Sequence, residues 1–435
     1  MNILKIYSYI LLIFLIFEFS YSDDDPKIKL YFGFNESYTN ISHSEYLLFG
    51  NIKFLNENTI FYNIPRIDNS SNITFAKINL IDNNNIDIYP WPNDTINYFI
   101  EDNCSSFCSI IAFEFDNHNN IYLLDEGNEQ CPIKLYKFDS KGNISEEYTI
   151  YNNSNRNINI IDFVLDITHD YIYISYYNNN AISSDNVDYE EGFIVKKLDK
   201  ENKDDEANIV LLNDKNLKYD IKYTLNEFNE KNFTNITKKL ISITLSCDGE
   251  FLFFSPILSR KIYSIKTNKL RKSKNINITL DDVNESYKND ASSAMVASNL
   301  GNLYLNGLEN NVIYIAGQID KDLSIFDYKG VDKRKMEDTD KTMNWTTKMS
   351  IYDGTLYIVC KDIIRDNNDT FNITTQVFNL SIYKEKSYVY KCAGIGQKWD
   401  WETYIVWILF IVIVIFVLVF VFIGNKEDKN INKKD

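Results

Sequence analysis

Histidine is scarce in this 435-residue chain: there are three, His43, His118 and His169, each in a polar loop or turn and none close in sequence to another. No Ser/His/Asp arrangement can be assigned from such spacing, and G-x-S-x-G is absent. No catalytic residue is therefore assigned. Glycine-rich phosphate loops are missing as well. The six cysteines include no paired C-x-x-C units and no nearby histidine pair, so a zinc-site spacing is lacking. Basic residues are outnumbered, 45 Lys and Arg against 61 Asp and Glu, for a net charge of -16. Nucleic-acid binding needs a basic footprint, and no long basic stripe interrupts this acidity.

Two apolar runs mark the ends. Met1 to Ser22 has an early Lys5, an apolar stretch from Ile10 to Phe17 and small residues at Ser20 and Ser22, the layout of a secretory signal peptide over 1–22. Tyr404 to Ile423 carries no charge. At about 1.5 Å per residue it is long enough for a bilayer core of about 30 Å, which predicts a transmembrane helix over 404–424. A buried core helix would show a polar face to water, and this run has none. Trp401 and Trp407 suit the membrane interface. Lys426, Lys429, Lys433 and Lys434 place the tail, 425–435, in the cytoplasm. The expectation is a single-pass type I membrane protein whose ectodomain, 23–399, is extracellular or lumenal.

Between these ends the chain repeats itself. The stretch Phe113 to Asp139 reads as strand, tight turn, strand, cysteine-anchored loop and strand. The aromatic of its second strand, Tyr122, has counterparts at Phe61, Tyr173, Phe253, Tyr304 and Tyr357, at separations of 61, 51, 80, 51 and 53 residues. Self-similarity at such a period, with three or four short strands per unit, predicts an all-β, six-bladed β-propeller; a β-sandwich with accidental spacing is the alternative. The long interval holds a charged, asparagine-rich insertion, 199–238, read as a surface excursion. The polar segment from Asp23 to about Tyr46 is an entry whose last part can close the ring. Trp91-Pro92 falls in a connecting loop, either packed there or lining the ring.

All six cysteines, Cys104, Cys108, Cys131, Cys247, Cys360 and Cys392, lie in the exported part, where disulfides persist. Six cysteines allow fifteen connectivities; the nearest plausible bridge joins Cys104 or Cys108 to Cys131. Glycosylation sequons begin at Asn35, Asn40, Asn69, Asn72, Asn93, Asn103, Asn143, Asn152, Asn232, Asn235, Asn277, Asn284, Asn344, Asn368, Asn372 and Asn379. An asparagine-rich chain makes such triplets by chance, yet none lies in the tail.

Several blocks resemble the yellow and major royal jelly protein family, whose members are six-bladed propellers. Ile121 to Gly127, Cys131-Pro132-Ile133-Lys134-Leu135 and Phe138-Asp139 look like its strand, Asp-x-Gly, Cys-Pro and Phe-Asp pattern. Ile243 to Arg271 is similar to another block through Ser246, Asp248-Gly249, Pro256, Leu258-Ser259 and Ile262-Tyr263-Ser264; Ser293 to Asn311 and Trp345 to Tyr357 resemble two more. The chain departs from the family at His118, where a cysteine is usual, and at Cys247, Ser255 and Thr346-Thr347.

Propeller ligands enter at the channel mouth, where loops from several blades meet. Asp125 and Glu126 after the second strand of blade two, with Asn306 and Asn310 in the comparable part of blade five, are the ligand candidates; turn chemistry is their other reading. The resemblance implies a propeller that binds a small molecule, glycan or surface protein without catalysis, since some members bind small amines. The alternative that the resemblance leaves open is an enzyme, either a dopachrome-conversion-like isomerase or a lactonase whose divalent metal is held in the channel by carboxylates and amides. An acidic, glycosylated coat protein is the third alternative.

Overall fold

The computed structural model describes residues 28–389 apart from 40–49, 57–58, 67–72, 81–85, 99, 101–102, 153–157, 179–189, 204, 206, 213–240, 257–258, 273–275, 288–289, 309, 317–331, 336–344, 366–369 and 383–384. The expected signal peptide, the apolar run from Tyr404 and His43 all lie outside the described residues. Among the described residues no helix is long and apolar enough to cross a membrane.

The described residues form six sheets, five of four strands and one of five. The first strand among the described residues is β1 (Lys29–Thr39). Blade 1 is then β2 (Ile52–Asn56), β3 (Thr59–Asn63), β4 (Phe75–Leu80) and β5 (Ile86–Pro90); blade 2 is β6 (Ile110–Phe115), β7 (Ile121–Asp125), β8 (Ile133–Phe138) and β9 (Ile144–Tyr151). Blade 3 comprises β10 (Ile158–Asp166), β11 (Tyr171–Asn178), β12 (Glu190–Lys197) and β13 (Asn208–Leu212). Blade 4 is β14 (Ile241–Leu245), β15 (Phe251–Pro256), β16 (Lys261–Lys266) and, after a strand β17 (Ile276–Ile278) that pairs in parallel with β13, β18 (Asn284–Tyr287). Blade 5 is β19 (Met295–Ala297), β20 (Leu303–Gly307), β21 (Val312–Ala316) and β22 (Asp332–Lys335). Blade 6 takes β23 (Trp345–Tyr352), β24 (Thr355–Arg365) and β25 (Thr370–Ser381), and its outermost strand is β1.

The N-terminal strand therefore closes the ring by pairing antiparallel with β25 from Lys29↔Asn379 to Thr39↔Thr370. The entry segment supplies that strand from its middle, Lys29–Thr39, rather than from its last part. The excursion expected over 199–238 is shorter at its start than the charge pattern implied, because Asn208–Leu212 alternates well enough to pair with β12.

All six repeat aromatics sit in the second strand of their blade, and all are buried: Phe61, Tyr122, Tyr173, Phe253, Tyr304 and Tyr357. The core lies between blades rather than at one centre. Five apolar clusters join neighbouring blades, for example Phe61, Phe75, Phe113, Phe115 and Phe138 between blades 1 and 2. Trp91 packs there too, its ring edge-on to Phe61, Phe75 and Phe138, so the packed-loop alternative holds for Trp91-Pro92. The Asp248-Gly249 turn forms as read: Gly249 takes φ +69° and its N–H donates to Ser246 O, a conformation in which L side chains are rare.

Cys104 pairs with Cys131. Cys247 is disulfide-bonded as well, whereas Cys108 and Cys360 are free and buried. Burial pushes both of those thiols up to about 12, which keeps them protonated and unreactive. The sequon asparagines Asn93, Asn143, Asn152, Asn277 and Asn284 are exposed.

Candidate functional site

The register of each blade fixes what faces the axis. Opposite the six buried aromatics, on the inner strands, stand Lys53 (across from Phe61), Glu114 (Tyr122), Val164 (Tyr173), Thr244 (Phe253), Val296 (Tyr304) and Ser350 (Tyr357). All six line one central cavity, one from each blade. The ring is uneven. Ser350, Lys53 and Glu114 make a polar arc over blades 6, 1 and 2, while blades 3 to 5 offer Val164, Thr244 and Val296.

Lys53 Nζ donates to Glu114 Oε2 at 2.6 Å, and less than a tenth of either side chain is exposed. Two residues before Val164 and Ser350, on the same strand faces, come Asp162 and Lys348. A β-bulge precedes each of them, between Ile160 and Asp162 and between Thr346 and Lys348. An extra residue in one strand re-aims the side chains that follow; here the bulges bring the Lys348 ammonium onto the Asp162 carboxylate. Blades 3 and 6 stand opposite one another in a ring of six, so this ion pair spans the channel. Burial, reinforced by the nearby Lys53 charge and opposed by Glu114, pulls Lys348 down to about 7.

Tyr388 fills much of the space. Its hydroxyl donates to Glu114 Oε2 at 3.2 Å and accepts from the Leu165 N–H at 3.2 Å. Ser387 and Val389 line the cavity beside it. What remains free is about 40 Å³, room for a few waters at roughly 10–15 Å³ each.

The residues singled out from the sequence lie elsewhere. Asp125, at the end of β7, accepts from the Cys108 N–H at 2.9 Å and the Ser109 N–H at 2.8 Å; burial lifts its carboxyl to about 6 against the pull of those bonds. Asn306 does the same in blade 5, its Oδ1 taking the Ser293 N–H at 3.0 Å and the Ala294 N–H at 2.8 Å. Glu126 is half-buried, with burial raising it to about 8. Asn310 is exposed and donates through Nδ2 to Asp290 at 2.9 Å. None of the four lines the central cavity. The channel residues were missed, although a signal exists: each lies seven to nine positions before its blade's aromatic, as Lys53 before Phe61 and Ser350 before Tyr357.

His169 meets Asp166 through Nδ1 at 3.0 Å, and Tyr173 donates to the same carboxylate at 3.2 Å. Burial raises Asp166, while His169 and Arg271 draw it back. The nearby Ser246 hydroxyl is directed to Asp248 instead, at 2.6 Å, so no His-activated hydroxyl results. No group of three or more His, Cys, Asp or Glu able to hold a metal occurs among the described residues. The channel carboxylates Glu114 and Asp162 each face a lysine ammonium. That donor set does not fit a divalent cation, which would have to displace the Lys53 and Lys348 amines from them.

The family model for major royal jelly protein matches residues 121–387. Among curated proteins no sequence match was found. Solved structures similar to this chain include a luciferin-regenerating enzyme, 10% identical with a TM-score of 0.45, covering 85% of this chain and 99% of the other. Regucalcin from Agrobacterium tumefaciens, described as a calcium-binding protein, is 9% identical at a TM-score of 0.41, covering 78% and 94%. Virginiamycin B lyase from Staphylococcus aureus is 12% identical at 0.36, covering 80% and 99%.

Proposed function

We propose a ligand-binding role, without catalysis, for the central channel of this chain, which belongs to the major royal jelly protein family. The observation that carries the reading is the buried Lys53–Glu114 pair on the channel wall. Removing two charges from water costs several kcal/mol per ion, and apolar replacements of such pairs are often neutral or stabilising. Stability alone gives no reason for the pair. Lys53, Glu114 and Ser350, with the Lys348–Asp162 pair, set beside Val164, Val296 and other apolar wall residues are the composition of a small-molecule site: apolar walls with a few placed polar groups. The ligand class that fits is a small molecule with an apolar body and a hydrogen-bonding end, in preference to a glycan or a protein surface. Thermal melting of the full-length protein against amines, sugars and surface proteins tests this. A ligand at 100 times its Kd stabilises by about 2.7 kcal/mol; a panel that leaves the melting temperature unmoved contradicts the reading.

One observation favours a second reading as an enzyme acting on dopachrome or a lactone. Burial lowers Lys348 from the ordinary lysine value while it faces the Asp162 carboxylate inside the channel, and perturbed groups in clefts mark functional sites able to exchange protons. Turnover of either substrate by the wild type, abolished in Lys348→Met, would establish it.

The setting we propose is a single-pass glycoprotein of the secretory pathway or cell surface. The apolar runs at 1–22 and 404–424, the Cys104–Cys131 bridge and the exposed sequon asparagines support it. Glycosidase-sensitive mobility and protease protection of the tail in sealed membranes are the expected results; an unglycosylated chain recovered without membranes contradicts them.

A further inference from the structure

The described chain does not end with its last blade strand. After β25, residues 385–389 turn back across the channel mouth. The Gly354 N–H donates to Glu385 O at 2.9 Å, and the Asn302 side-chain amide donates to Glu385 Oε1 at 2.7 Å. The Asn299 N–H donates to Lys386 O at 2.8 Å and the Tyr388 N–H to Ala297 O at 3.2 Å. These last two bonds flank an isolated antiparallel bridge between Ser298 and Ser387. Beyond it Tyr388 enters the channel and reaches Glu114 of blade 2 and Leu165 of blade 3.

Two features separate this segment from the scaffold. It belongs to no sheet, and ring closure is completed upstream, where β1 pairs with β25. Withdrawal of 385–389 therefore breaks no blade's sheet and does not open the ring, and it uncovers the apolar cluster of blades 3 to 5 that Tyr388 and Val389 complete. The second feature is the nature of what it fills: a small aromatic ring with one hydroxyl occupies the polar arc, hydrogen-bonded to a carboxylate that Lys53 already neutralises. The about 40 Å³ left around it is far below the roughly 300–1,000 Å³ of ordinary ligand sites.

From this arrangement we infer that residues 385–389 are a displaceable plug, with Tyr388 as the channel's resident occupant, so that a ligand enters only by expelling it. The inference rests on the channel being the binding site. It adds that affinity is set by a competition within the chain: when the competent state is a small fraction of molecules, apparent affinity falls by that fraction.

The Ser298–Ser387 pair supplies the test. The two bonds that flank it leave it a non-hydrogen-bonded antiparallel pair, for which Cα atoms stand about 4.5 Å apart, within the span a disulfide bridges. The full-length double variant Ser298→Cys/Ser387→Cys, oxidised, locks the plug shut; either single variant cannot. With p-cresol as the probe, followed by calorimetric titration, Tyr388→Ala should bind at least tenfold more tightly than wild type. The locked form should bind at least tenfold more weakly than the single variants. If p-cresol affinity is the same in locked and single variants, or Tyr388→Ala gains none, the plug is overturned. Should Tyr388→Ala not fold, the lock comparison decides alone. Failure of the channel reading looks different, because there the ligand panel leaves the melting temperature of the wild type and of Tyr388→Ala alike unmoved.

Discussion

Asp125 and Asn306 show what one carboxylate or amide does at the end of a second blade strand: each collects two N–H groups from the chain leading into its own inner strand. Truncating either to alanine orphans buried donors, at roughly 1–3 kcal/mol, and denaturant titration of Asp125→Ala and Asn306→Ala should show losses of about that size. Asp125 also gives the stability a pH slope. Its folded value of about 6 lies above the ordinary 3.8, so the folded state holds the proton more tightly across that window. The contribution is present below pH 3.8 and is lost as pH rises through about 6. Wild type should lose stability over that span relative to Asp125→Asn; an equal slope in both removes Asp125 as the cause. The sequence made these positions visible as polar residues after a strand, and the choice between turn and ligand chemistry was open there because both use the same side chains. Lys53 and Glu114 were illegible for the opposite reason. In a strand that alternates, a charged residue reads as solvent-facing, and only ring closure turns that face into a channel.

The elements were more legible than the site. Six aromatics at a near-constant period identified six second strands, because a blade buries that position against its neighbours whichever residues surround it. The bulges before Asp162 and Lys348 were not legible, since no glycine or proline marks them. The fourth strand of blade 3 was hidden within a stretch whose charge content reads as loop. The loop between Cys104 and Cys131 is closed by a disulfide with a sequence separation of 27. Chain-entropy arguments put such a closure at about 3–4 kcal/mol. Replacing both cysteines by serine should lower unfolding stability by that order, measured at equilibrium in the absence of reductant, and an unchanged midpoint would show that the loop is ordered without it.

At the scale of the whole molecule, six blades hold a small set of charged and hydroxyl groups inside a largely apolar barrel of strands. Lys53→Met alone strands Glu114 without its cation and should destabilise by about 3–5 kcal/mol, whereas Lys53→Met/Glu114→Leu together should be close to neutral. That contrast makes the double variant the right control, because it keeps the fold while removing both charges of the arc. The most direct measurement is the melting temperature of the full-length wild type and of this double variant, each with and without the ligand that the panel identifies. A ligand-dependent rise in the wild type that disappears in the variant is expected. A rise of equal size in both would contradict it and place binding outside the channel.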